Sequence, residues 1–88
     1  MLYAYINLKV GTDMIEFSDV TGKQFNSEDA VYYRNVIQSA FMLSKPDCVL
    51  LDIFTDSNEK IVFVFPRELH KKYINEWNDR PHKKKNQP

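Results

Sequence analysis

The fold class that this sequence predicts is α+β: a two-layer sandwich in the order ββαββα, a mostly antiparallel four-stranded sheet with two helices on one face. Three patterns point to it. Period-two alternation opens the chain at residues 2–10, runs rich in β-branched and aromatic residues lie at 48–54 and 60–65, and helical spacing fills the segments between and after them. A chain of 88 residues has room for one core. A single domain is expected over residues 1–80, followed by a basic tail at 81–88 without fixed structure. The hydrophobic content of 43% is ample for a packed interior and excludes disorder of the whole chain.

In the first segment Leu2, Ala4, Ile6, Leu8 and Val10 point one way and Tyr3, Tyr5, Asn7 and Lys9 the other, as in a half-buried strand. Gly11 suits a tight turn, after which Ile15 and Phe17 resume the alternation, so a hairpin is predicted. "DVTGK" at 19–23 is a further turn. "FNSEDA" announces a helix, with Asn26 or Ser27 as its cap and Glu28 and Asp29 at the positive end of its dipole. Ala30, Tyr33, Val36, Ile37, Ala40 and Phe41 then recur at helical spacing until Pro46 stops them.

"CVLLDIF" and "KIVFVF" bracket the polar "TDSNE" and predict a second hairpin. Both of its strands are apolar on both faces. Two helices can shield only one face, so an outward row of Leu50, Phe54, Val62 and Val64 is expected to meet a second copy of the chain or another partner. Pro66 suits the first position of the last helix, along which Leu69, Tyr73 and Trp77 rise on one side, joined by Ile74. Pro81 ends it.

Several chemistries find no footing in the sequence. Hydrolysis by a nucleophile needs Ser or Cys beside a positioned His, and the chain offers only His70, beside two lysines, and His82 in the tail. Cys48 reads as a small hydrophobe at a strand start. A single cysteine closes no internal disulfide, which fits a reducing compartment, and the cytoplasm is expected in the absence of a signal-peptide pattern or a membrane-length apolar run. One Cys and two distant His do not make a zinc cluster, and Asp52, Asp56 and Glu59 read as a solvated loop in preference to a magnesium site. The two glycines, Gly11 and Gly22, sit in separate turns and form no phosphate-cradling loop. A non-enzymatic protein without metal or cofactor is expected.

Charge is distributed unevenly. Residues 1–66 carry five Lys/Arg against nine Asp/Glu, whereas residues 67–88 carry seven against three. Arg67, Lys71, Lys72, Arg80, Lys83, Lys84 and Lys85 therefore suggest a phosphate clamp built from a basic helix and tail. Tyr3, Tyr5 and Lys9 share one strand face, where unpaired bases can stack. These features predict a small regulatory or accessory protein that binds nucleic acid, RNA before DNA, as a homodimer. The competing expectation is an inhibitor or adaptor that covers a surface of a larger protein, drawn from the doubly apolar hairpin, the aromatic content and the acidic first two-thirds.

Overall fold

A computed structural model describes residues 14–81. The strand expected at residues 2–10, with Tyr3, Tyr5 and Lys9, lies outside the described residues, as do Lys83, Lys84 and Lys85. The class is α+β, but the strands form two small antiparallel sheets of two and three strands in place of one four-stranded sheet.

The first sheet is a hairpin of β1 (Ile15–Phe17) and β2 (Gln24–Asn26), in which Glu16 faces Phe25 and Phe17 faces Gln24. Its loop is closed from both ends. The amide of Ser18 donates to the Lys23 carbonyl at 2.8 Å, that of Gly22 donates to the Ser18 carbonyl at 2.8 Å, and the Ser18 hydroxyl accepts from Thr21 N–H at 2.9 Å. Gly22 has φ +75, the left-handed region where a Cβ is costly, which is why glycine stands there.

Between the hairpin and the first α-helix the structure corrects the sequence reading. Asn26 does cap, its side chain accepting from Glu28 N–H at 2.9 Å, but it caps only a single 3-10 turn at Ser27–Asp29. The chain then returns to extended geometry as β3 (Ala30–Tyr33). Ala30 and Tyr33 are both buried, three residues apart, a spacing that mimics a helix. In the strand they point to opposite faces of a sheet that is covered on both: Ala30 packs with Val62 and Val64, Tyr33 with Met42, Phe65 and Leu69. The helix α1 (Val36–Leu43) starts six residues later than Ala30, on a true cap at Asn35, whose side chain accepts from Gln38 N–H at 3.0 Å.

The second sheet has the order β3-β5-β4, with β4 at Asp52–Thr55 and β5 at Ile61–Pro66. Both pairings are antiparallel, and Val64 lies between Tyr32 and Asp52 in one row across the sheet. The predicted hairpin at 48–65 is thus present, although residues 48–51 precede the ladder and only Leu51 N–H bonds to it, at the Val64 carbonyl, 2.8 Å. The β4–β5 turn is held by Asp56, whose carboxylate accepts from the amides of Asn58 and Lys60 at 2.9 and 3.0 Å. Glu59 there has φ 63, a left-handed residue without the glycine that would ease it.

β5 is the centre of the molecule. On one face Phe65 and Phe63 meet Met42 of α1 and Leu69 of α2 (Arg67–Asp79), which places both helices on that side, as expected. On the other face Val62 and Val64 are covered by Phe25 from the β1–β2 hairpin, by Leu51 and by Ala30. Thr21 fastens this cover by donating its hydroxyl to the Leu51 carbonyl at 2.7 Å. Val62 and Val64 are accordingly 0% exposed within one chain, so the outward apolar row that called for a second copy is closed by the chain's own N-terminal hairpin. No helix among the described residues is long and apolar enough to cross a membrane.

These contacts predict a graded mutational response in urea denaturation. Phe65→Ala, which removes the most voluminous fully buried side chain, should cost about 3–5 kcal/mol, and Asn35→Ala about 1 kcal/mol. Glu59→Gly should stabilise by up to about 1 kcal/mol through relief of the left-handed backbone. A destabilised Glu59→Gly protein would contradict the turn described above.

Candidate functional site

The basic helix is the site to which the sequence assigns phosphate contacts. Its cations are largely engaged by the protein itself. Arg67 turns back across the start of α2, donating from Nε to the Glu28 carbonyl at 3.1 Å and from Nη2 to the Ala30 carbonyl at 3.2 Å. It thereby holds the end of the 3-10 turn and the beginning of β3 against the helix. Lys72 reaches Asp47 at 2.6 Å, and the Tyr73 hydroxyl donates to the other oxygen of the same carboxylate at 2.6 Å. Arg80 lies over the Trp77 ring, 3.7 Å from its centroid.

These pairs belong to a seam between the two helices. Trp77 leans on Phe41 of α1 with ring centroids 5.3 Å apart. Lys45, just past the end of α1, stands 4.2 Å from the Phe41 centroid and 5.0 Å from that of Tyr73, and bonds Glu76 at 2.5 Å. Two packed rings, Trp77 and Phe41, are thus flanked by a cation on each side, Arg80 and Lys45. The seam has no signature in the sequence, because Lys45 meets Glu76 and Asp47 meets Lys72 over separations that no local pattern encodes.

Lys71 is exposed and makes neither a hydrogen bond nor an ion pair with any described residue. It borders an open depression lined also by Asp47, Glu68, Leu69 and Lys72, where two carboxylates stand against two ammonium groups. Such a wall has no net charge with which to hold an anion. Over residues 67–80 as a whole, four Lys/Arg face three Asp/Glu, an excess of only one. Most of the positive excess of the C-terminal region therefore resides in Lys83, Lys84 and Lys85, outside the described residues.

The remaining candidates fall into structural places. His70 sits with Nδ1 2.6 Å from the Tyr33 hydroxyl and its ring edge-on to that of Tyr33, joining α2 to β3. Cys48 is half-buried at the edge of the helix-side core, and burial together with the neighbouring Asp47 charge pushes its thiol above the usual range. Asp56 is the staple of its turn and also bonds Arg34 at 3.2 Å. Of the four residues expected on the outward row, Val62 and Val64 are interior and Leu50 packs half-buried against the helix-side core. Phe54 alone retains substantial exposure, 39%, and it meets Tyr32 edge to face at 6.4 Å.

Apolar side chains do reach the surface elsewhere. Phe17 on β1 and Val20 in the adjoining turn are 66% and 65% exposed, and Val36 and Ile37 at the start of α1 are also open. No family model, curated protein or solved structure matches this chain.

The carboxylates of Asp47 and Asp56 are both held below the usual range, Asp47 by its bonds from Lys72 and Tyr73, Asp56 by backbone N–H groups of Lys60 and Asn58 and by Arg34. A carboxylate whose folded pKa lies below its unfolded value of about 3.9 binds more protons when unfolded. Its contribution is complete above that value and disappears as pH falls through the lowered folded pKa. Urea midpoints should therefore drop below about pH 4, and Asp47→Asn together with Asp56→Asn should flatten that acid limb. An unchanged limb in the double variant would remove both pairings as its cause.

Proposed function

We propose that this chain is a non-enzymatic protein-interaction module, an adaptor or inhibitor that acts by covering a surface of a larger protein. The observation that carries the reading is the contrast between its charges and its apolar groups. Arg67, Lys72 and Arg80, which a phosphate clamp would need, are engaged within the fold, while Phe17 and Val20 stand more than half exposed on one short hairpin. An exposed ion pair is weakly held in water, so phosphate could displace Lys72 from Asp47. The Arg67 contacts to backbone carbonyls leave less room for that exchange, because they join three segments of the fold.

The acidic body agrees with this reading. Residues 14–66 carry four Lys/Arg and eight Asp/Glu, a balance that repels polyanions and favours a basic protein surface. Nucleic-acid binding is the competing reading, and it rests on Lys71 and on the lysines at 83–85.

Capture of partners from native lysate, with and without nuclease, separates the two. The protein-interaction reading predicts nuclease-resistant capture that falls at least about tenfold in a Phe17→Ser, Val20→Ser variant, given that a few apolar anchors carry most interface energy, and that is unmoved by Lys71→Glu. Capture abolished by nuclease, steeply weakened by salt and lost on deletion of residues 82–88 would overturn it in favour of nucleic acid.

A further inference from the structure

The face of the three-stranded sheet away from the helices carries an aromatic pair with unmatched acids around it. Tyr32 on β3 and Phe54 on β4 reach toward each other across β5, ring centroids 6.4 Å apart and planes at 70°, and each is a little over one third exposed, 38% and 39%. Asp52 shares the cross-sheet row of Tyr32 through Val64. Glu16 comes from β1 beside Phe25, the residue that caps this face. Burial, together with the charges of Glu16 and Asp52, pushes the Tyr32 phenol above its usual range. Neither forms an ion pair with a described cation; Asp52 accepts only the amide of Ile53 at 2.7 Å.

Resting on the protein-interaction reading, we propose that this patch is part of the docking surface, in addition to Phe17 and Val20, and that it takes an arginine side chain from the protein partner. A planar guanidinium stacks on aromatic rings and at the same time donates N–H bonds to carboxylates at their rim, a combination that a neutral side chain cannot match and an ammonium matches only as a point charge. The acids here are free to accept because neither is ion-paired within the described residues, whereas Asp56, Glu76 and Asp47 are taken by Arg34, Lys45 and Lys72. Charge complementarity thus selects a basic protein segment over a second copy of the acidic body.

The test uses the full chain and two small probes, N-acetyl-arginine amide and its neutral isostere N-acetyl-citrulline amide, followed by NMR chemical shifts. The expected result is saturable shifts at the rings of Tyr32 and Phe54 and at the amides of 15–17 and 52–54, with citrulline about two- to fivefold weaker, the scale of one exposed cation–π contact. Glu16→Gln with Asp52→Asn, which alters no packing volume, should reduce arginine to the level of citrulline. Equal binding of the two probes, or arginine shifts spread evenly over the other carboxylates, would overturn the proposal without any variant being made. Nuclease-resistant capture that depends on Phe17 and Val20, found alongside no arginine preference, would remove this surface alone. An arginine preference found alongside nuclease-sensitive capture would remove the protein-interaction reading alone.

Discussion

The need to cover β5 on both sides governs this structure. A central strand reading Ile-Val-Phe-Val-Phe has no face that tolerates water, and each half-covered valine or phenylalanine would forgo roughly 1.5–3 kcal/mol of burial. Two helices supply one cover through Met42 and Leu69. The other comes from a hairpin whose strands are three residues each, too short to stand alone, which gains its place by setting Phe25 on Val62 and Val64. The tie from Thr21 to Leu51 and the paired loop at Ser18 make sense as fastenings of that lid.

The helix seam shows how a basic stretch of sequence need not become a basic surface. Lys45, Lys72 and Arg80 each sit against an aromatic ring, and two of the three also meet a carboxylate. Their charged groups lie over ring faces, so part of the positive charge is spent within the fold. What reaches the surface in quantity is instead apolar or acidic, and the proposed recognition of a protein surface rests on that balance.

Much of the local structure was legible in the residues. The hairpin at 48–65, the helix after Pro66, the stop at Pro46 and the turn at Gly22 all follow from alternation, from the fixed φ of proline and from the freedom of glycine. The segment 30–33 reads as helix because burial on two opposite faces reproduces the i, i+3 spacing of a helix, and only knowledge of both covers tells them apart. The same knowledge is needed to see that Val62 and Val64 of the doubly apolar ribbon find their cover within the chain. Cap geometry carried a clue, since Asn35 offers a second cap nine residues after Asn26 and the β-branched and aromatic "VYY" lies between them. The pairings of Asp47 and Glu76 have no local signature, because tertiary approach alone brings them to Lys72 and Lys45.

The lid over Val62 and Val64 belongs to the same chain. Isotope-filtered NOE spectroscopy on an equal mixture of labelled and unlabelled protein tests it directly. Contacts from the Phe25 ring to the methyl groups of Val62 and Val64 should appear in the uniformly labelled sample and vanish in the filtered experiment on the mixture. The same contacts surviving between labelled and unlabelled molecules would show that another copy provides the cover, and would contradict the account.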